Sequence, residues 1–401
     1  MIPRLKPCFG LEEIRAAFSR RSNAVSVFEE SFAKTFGSRY ALAFPYGRSA
    51  LYALFKALSI ENAEVIIPAY TCVVVPHAVV VSGNIPKFVD ITLKDYNMDL
   101  DLLEEAITPK TRVIIPTHLF GYPMDTDRVN EIASRANRKI LIIQDCAHSF
   151  GATFQGKYVC NQGHAAIYAL EISKYISAVF GGMLTTSDDN IYEQVKRYRD
   201  EHFTKPSPAK QFWKLMYLMA VYVAFNNTFY GFVNFLEENT PLLNRLTKYY
   251  REDRIDFPRD FGVHFGDLEA RVGMVQLGKY PQIKQRRQQI AEYYNQQLQG
   301  VEGIELPPII NGATYSHYVP RVENRREVMD RMRREGIQLG QLIEYSVPHM
   351  EAYRRYKDGE FPNSYLCSQT TINLANYPAL MDKDLVMISE KLKRVLNRVL
   401  K

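Results

Sequence analysis

Ile140-Leu141-Ile142-Ile143-Gln144-Asp145-Cys146-Ala147-His148-Ser149-Phe150-Gly151-Ala152 is the stretch on which the fold turns. Its apolar run reads as a strand core, and an acid ends it. The same pattern recurs upstream. Val65-Ile66-Ile67 runs into a turn at Pro68, and a helical stretch follows from Val73. Lys87-Phe88-Val89-Asp90-Ile91 is a second short strand, and Val113-Ile114-Ile115 stops at Pro116. Apolar strand cores alternating with amphipathic helices from about residue 40 to 190 predict βαβ units and an α/β fold with a mainly parallel sheet. Ligands of such sheets lie outside the carboxyl ends of the strands. Asp145, His118 and the Pro68-Ala69-Tyr70-Thr71 turn all fall at such ends, so the pattern gathers them in one crevice.

Farther on, Leu268, Val272, Val275, Leu277, Ile283, Ile290 and Tyr293 mark long helices with a polar face. A second unit starts after Gly303. In it His317-Tyr318-Val319-Pro320-Arg321-Val322 reads as a strand, Asn324 to Glu335 as a helix stopped at Gly336, and Lys383 to Leu400 as a closing helix. The expected organisation is a large domain over 1–295, with an apolar helical insertion at about 205–258, and a small α/β domain over 296–401.

The bulk numbers fit this. The chain has 401 residues, 46% of them hydrophobic and 23% charged, with a net charge of +6 and no polybasic run. A folded protein that does not bind nucleic acid is the reading, and an anionic small substrate suits the charge. Five dispersed cysteines (Cys8, Cys72, Cys146, Cys160 and Cys367) argue for reduced thiols in a cytoplasmic setting. No Cys/His spacing offers a metal site. The first residues, Met1-Ile2-Pro3-Arg4-Leu5-Lys6, lack the apolar stretch of a signal peptide.

Downstream of Asp145 lies Ala169-Leu170-Glu171-Ile172-Ser173-Lys174, followed closely by Phe180-Gly181-Gly182-Met183-Leu184. A lysine before a Gly-Gly turn means little by itself. Together with a carboxylate at a strand end it supplies the two groups that pyridoxal phosphate chemistry needs. A lysine amine forms a Schiff base and then shuttles a proton, and an acid keeps the pyridine nitrogen protonated.

These segments, with Val65-Ile66-Ile67-Pro68-Ala69-Tyr70-Thr71, Tyr96-Asn97-Met98-Asp99 and Ile115-Pro116-Thr117-His118-Leu119-Phe120-Gly121, resemble in order and spacing the DegT–DnrJ–StrS sugar aminotransferases, a fold-type-I pyridoxal-phosphate family. The resemblance runs from about Tyr40 to Asp200 and resumes at about Asp267. It implies a homodimeric transaminase that moves an amino group from an amino donor such as glutamate to a keto acceptor. That acceptor is a nucleotide-linked keto sugar of polysaccharide or antibiotic-sugar biosynthesis. An enzyme of this type acting on a lipid-linked substrate, and a non-catalytic homologue with a binding role, are the alternatives.

By position, the resemblance makes Lys174 the Schiff-base lysine and Asp145 the partner of the pyridine nitrogen. Gly47-Arg48-Ser49 becomes the phosphate turn, a place where free N–H groups and the helix dipole favour an anion. His148 lies against the cofactor, Ser173 adjoins the lysine, and Cys72 stands where an aromatic commonly stacks, although a buried packing thiol is an equally good reading. Glu171 and His317 fall on the substrate side. The chain departs from the pattern at Arg48 for a threonine, Ala169 for a phosphate-binding serine, Gly262 for an asparagine that reaches the neighbouring subunit, and His264 for an arginine.

Leu215 to Leu236 contains no charged side chain, which is about long enough to cross a bilayer. Both flanks belong to one folded unit, so a crossing is excluded. Asn226-Asn227 interrupts the run and predicts a helical hairpin. With Lys205, Lys210, Lys214, Arg245, Lys248, Arg251 and Arg254 on its flanks, residues 212–250 read as a membrane-surface contact or, equally, as an enlarged dimer interface.

Overall fold

The computed structural model describes residues 1–19, 23–136, 139–225, 230–231 and 252–399. Its centre is a seven-stranded sheet built from β1 (Tyr40–Phe44), β2 (Glu64–Pro68), β3 (Ile85–Val89), β4 (Thr111–Ile114), β5 (Leu141–Asp145), β8 (Ala165–Ala169) and β9 (Gly182–Thr186), in the order β1-β9-β8-β5-β4-β2-β3. A two-residue hairpin, β6 (Thr153–Phe154) with β7 (Lys157–Tyr158), lies between β5 and β8. Strands β3, β2, β4, β5 and β8 run parallel, and β9 runs antiparallel to both its neighbours. The mainly parallel α/β sheet expected from the strand pattern is therefore present.

The continuous apolar runs follow from burial on both faces. Val65, Ile67, Val113, Ile115 and Ile143 pack to one side, with α3 (Gly47–Ala57) and α4 (Val74–Val81). The intervening Ile66, Ile114 and Ile142 pack to the other, against Leu103 of α5 (Leu100–Ala106) and Val129 and Ile132 of α6 (Thr126–Arg135). The central residues of one strand thus fill two cores, which is why the middle of each strand is apolar on both faces.

The long-helix expectation becomes one element, α9 (Asp267–Leu298), which follows α7 (Asp189–His202) and α8 (Pro208–Ala224) in the chain. It runs past residue 295 without a break. Beyond it come the short strands Ile304–Glu305 and Arg321–Val322, then α10 (Arg325–Arg334), α11 (Pro362–Thr370) and α12 (Asp382–Val399). The strand expected over 317–322 is shorter in the structure. Only Arg321–Val322 pairs with Ile304–Glu305, while Tyr318 makes a single bridge to Leu374, because Pro320 has no N–H to continue a ladder. The first residues belong spatially with this C-terminal region, since Ile2 bridges Ile337.

Of the apolar insertion, residues 205–225, 230–231 and 252–258 are described; most of the hairpin expected over 212–250 lies outside the described residues. Ser207 caps α8 by accepting from the Lys210 N–H, with Pro208 at the first turn. Leu218 and Val221 are buried, and Leu218 packs with Val272 and Leu268 of α9 and with Ala17 and Val179. Lys214 donates to Glu269 of α9, and both side chains are buried. Lys210 binds Asp260 at 2.6 Å. Two of the basic residues read as a lipid-facing flank are thus engaged inside the protein. Among the described residues, no helix is long and apolar enough to cross a membrane.

Removing one partner of a buried ion pair strands the other charge. Glu269→Ala is expected to lower stability in urea by about 3–5 kcal/mol, and Lys214→Met with Glu269→Leu to recover most of it. A single-variant loss below about 1 kcal/mol would mean that the pair behaves as an exposed one.

Candidate active site

Asp145 is the last residue of β5, and its backbone is held from both sides. Its N–H donates to Pro116 O at 2.9 Å, and its carbonyl accepts from the His118 N–H at 3.2 Å. The carboxylate is buried. It accepts from the Ala147 N–H at 3.0 Å and lies 3.5 Å from Thr117 Oγ1. Burial pushes this carboxyl above its usual range, against the pull of the Ala147 N–H, the Lys174 ammonium and the Thr117 hydroxyl. A carboxylate so placed is stabilised by any further positive charge.

Lys174 supplies one such charge. It follows β8 in a turn closed by its own N–H to Glu171 O at 2.9 Å. Asp145 and Lys174 line one cavity of about 100 Å³, together with Gly47, Arg48, Thr71, Cys72, Thr117, His148, Tyr168, Ala169 and Glu171. Strands β2, β4, β5 and β8 run parallel, and each delivers residues to it at its carboxyl end.

The Gly-Gly turn explains how Lys174 is kept near Gly47. Gly182 opens β9 and pairs with both Phe44 and Ala169. A Cβ on it would stand 2.3 Å from the Gly47 nitrogen and from the Tyr46 carbonyl carbon. Gly47 is equally confined, since its own Cβ would meet the Tyr168 carbonyl oxygen at 2.9 Å. The turn that opens α3 is packed backbone to backbone against the strand that follows the lysine.

This end of the cavity fits an anion. Helix α3 begins at Gly47; the Ser49 and Ala50 N–H groups donate to Tyr46 O, which leaves those of Gly47 and Arg48 without helical acceptors. Ser49 Oγ and Thr71 Oγ1 are buried hydroxyls without hydrogen-bond partners among the described residues. Arg48 is buried at the cavity wall, its guanidinium 5.8 Å from the Tyr46 ring centre. Asp260 accepts from Tyr46 Oη at 2.9 Å and from Lys210 at 2.6 Å. Orphaned hydroxyls beside a helix start, with an arginine that has no ion pair among the described residues, are the donor set of a phosphate cradle. With Asp145 at the other end, the residues fit pyridoxal phosphate.

His148 also faces the cavity. Its Nδ1 accepts from the Phe120 N–H at 3.4 Å, and the Phe120 ring lies nearly parallel to it at 6.0 Å. Phe120 is held at φ +56°, an unusual conformation for an aromatic residue that turns its ring onto the imidazole. His317 stands 5.1 Å from His148, ring centre to ring centre, just outside the cavity lining. Burial, with the Lys174 and Arg287 charges, holds both imidazoles well below the usual histidine range, so both are neutral. Cys72 borders the cavity, and burial pushes its thiol up. Ser49, like His317, adjoins the lining without entering it, and Ser173 lies outside the lining altogether.

His118 is a correction. It lies beyond the carboxyl end of its strand, yet both ring nitrogens are engaged by Gln144 Oε1 at 2.8 Å and the Met124 N–H at 2.9 Å. It is a core histidine, and burial lowers its pKa to about 4. Thr71 belongs to the turn that the strand ends placed in the crevice, and it lines the cavity. Thr117 and Phe120 are contributors that sequence reading did not single out; Thr117 follows a strand end, which is the signal that could have found it.

The profile of the DegT/DnrJ/EryC1/StrS aminotransferase family matches residues 12–393. The chain belongs to that family. It is a pyridoxal-phosphate-dependent aminotransferase with small-molecule substrates. The chain is 26% identical to MJ1066, an uncharacterised protein of Methanocaldococcus jannaschii, over 99% of its own length and 98% of the relative's. It is 23% identical to the spore coat polysaccharide biosynthesis protein SpsC of Bacillus subtilis, covering 98% and 97%. Its fold superposes on the sugar aminotransferase CalS13 from Micromonospora echinospora with a TM-score of 0.78 at 20% identity, covering 98% and 100%.

The buried histidines set a pH dependence. His118 and His77 are each lowered to about 4, by burial first; Arg48 adds to this at His77, and the Gln144 hydrogen bond opposes it at His118. The unfolded chain binds protons near pH 6.5 that the folded chain refuses until about pH 4. Stability is therefore intact above about pH 6.5 and falls as the pH drops toward 4, by up to about 1.4 kcal/mol per pH unit for each histidine. Urea midpoints measured between pH 7 and 4.5 should decline, and a flat profile would contradict the assignment.

Proposed function

We propose that the chain transfers an amino group from glutamate to the keto group of a nucleotide-linked sugar, with Lys174 and Asp145 as its catalytic residues. One observation carries this reading. A buried carboxylate and a lysine share a single cavity whose far end is a helix start with orphaned hydroxyls. The sugar acceptor rests on the similarity to the polysaccharide biosynthesis protein SpsC and the sugar aminotransferase CalS13.

When bound, the cofactor supplies an aldehyde that holds the amino group and a ring that withdraws electron density. Lys174 Nζ would hold the cofactor covalently and, when freed, would move a proton between carbons. The Asp145 carboxylate would hold a proton on the ring nitrogen. The N–H groups at the start of α3, Arg48, Ser49 and Thr71 would hold the phosphate. His148 and Cys72, on the cavity lining, would bound the ring's place without adding charge, and Ser173, next to Lys174 in the chain, would set the lysine's approach. Glu171 and His317 face the substrates. Residues 1–295 form the cofactor-holding unit and 296–401 the unit that brings His317.

The working form is a homodimer in the cytoplasm. The outer face of α8 gives it a second contact. Phe212 and Trp213 are 63% and 73% exposed, and Met216 and Val223 are also exposed, while the opposite face is buried. This face docks the enzyme on the surface of an anionic membrane.

Two experiments test these readings. Borohydride reduction of the coloured holoenzyme should leave the pyridoxyl group on Lys174, and Lys174→Ala should lose both colour and turnover with glutamate and a panel of keto sugars. Asp145→Asn should bind cofactor yet turn over at least about a hundredfold more slowly, an electrostatic loss of a few kcal/mol. A label on another lysine, or near-normal turnover of Asp145→Asn, refutes the site. For the second contact, wild type should float with anionic vesicles and the Phe212→Glu, Trp213→Glu variant should not. Equal flotation, or loss of dimers in a protein that never bound vesicles, refutes docking through this face.

A further inference from the structure

Helix α9 carries a charge that the reaction chemistry does not use. Arg287 is 4% exposed, and no ion pair to it occurs among the described residues. Its Nη1 donates to the Ser316 carbonyl, its guanidinium lies 4.7 Å from the Tyr175 ring centre, and its Nε has no partner. An apolar side chain of the same volume would avoid the desolvation cost of a buried cation, so the charge and its contacts call for a reason.

The contacts supply one. Ser316 precedes His317, and Tyr175 follows Lys174. The two loops also meet directly, since Tyr175 Oη donates to the Thr314 carbonyl. The neighbouring Gln288 donates to Ala313 O at 2.8 Å. From the opposite side the Thr314 N–H donates to Gly121 O at 3.0 Å, where a Cβ on Gly121 would stand 2.7 Å from the Tyr315 nitrogen. Tyr315 is held at φ +53° within this grip. A loop bent into that conformation keeps its shape only when its surroundings enforce it.

We propose that Arg287 is a positioning residue which locks the Lys174 turn to the 313–317 loop, so that the amine and the His317 imidazole address the same substrate. This rests on the roles given above to Lys174 and His317. The fixed charge has a second consequence. Arg287, Lys174 and Arg4 all oppose protonation of His317, while His148 and Ser316 Oγ are its uncharged neighbours. At His148 the opposing charges are Lys174 and Arg287, beside the Phe120 N–H and the His317 ring. Arg287 therefore helps to keep two neutral imidazoles beside the amine.

The test compares Arg287→Met and Arg287→Lys with wild type in the full chain. In Arg287→Met, kcat should fall about a hundredfold with KM much less changed, as expected for a reacting group misplaced by about an ångström. Histidine-labelled NMR of the cofactor-free protein should show the His317 imidazole titrating at higher pH than in wild type. Arg287→Lys keeps the charge but cannot both stack on Tyr175 and reach the Ser316 carbonyl. It should restore the His317 titration and the pH–rate profile while kcat stays low. If Arg287→Met does not fold, Arg287→Lys alone still decides through that split. A wild-type kcat in either variant, or a His317 titration unmoved in Arg287→Met, overturns the proposal. Borohydride labelling separates the two levels: a label absent from Lys174 in wild type defeats the site assignment itself, whereas a label on Lys174 with normal kcat in Arg287→Met defeats only the role of Arg287.

Discussion

A carboxylate buried at the end of a strand is the constraint around which this molecule is arranged. Asp145 has one backbone N–H and one distant hydroxyl for company, too little to offset the loss of water, and burial raises its proton affinity accordingly. A nearby positive charge relieves that cost, and the fold brings one. The chain leaves β8, turns at Lys174, and returns as β9 with Gly182 pressed against the backbone of Gly47. Acid, amine and helix start are tied together by contacts in which no side chain would fit.

Much of this was legible in the sequence because parallel strands announce themselves. Val65–Ile67, Val113–Ile115 and Ile140–Ile143 are apolar without interruption, since each is buried on two faces, and the acid and turn residues after them mark the functional edge. β1 and β8 were harder to read. Tyr-Ala-Leu-Ala-Phe and Ala-Ala-Ile-Tyr-Ala are rich in alanine, which favours no strand; the small Ala41, Ala43 and Ala166 are buried in one cluster with Phe28, Phe32 and Phe36 of α2 (Ala24–Phe36). His118 misled for a related reason. Its backbone position is that of a site residue, but a side chain's direction depends on partners such as Gln144 and Met124 that no local pattern predicts.

The insertion shows the same division between pattern and packing. Its apolar run was visible, and its exposed aromatic face agrees with that reading. What the run could not show is that Lys214 turns inward to Glu269 and Lys210 to Asp260. The helix is therefore anchored to α9, the element that also bears Arg287, and it is bonded to Asp260, which meets Tyr46 beside the turn that opens α3. A surface contact at Trp213 would be mechanically close to the site although it is distant in sequence.

The central claim is that the Asp145 carboxylate fixes a proton on the ring nitrogen of the bound cofactor. Nitrogen-15 NMR of the enzyme reconstituted with ring-labelled pyridoxal phosphate measures this directly. The account predicts a protonated ring nitrogen in wild type that remains protonated well above the range of the free cofactor, and an unprotonated one in Asp145→Asn. A wild-type nitrogen without a proton near neutral pH, or the same signal in both proteins, would contradict it.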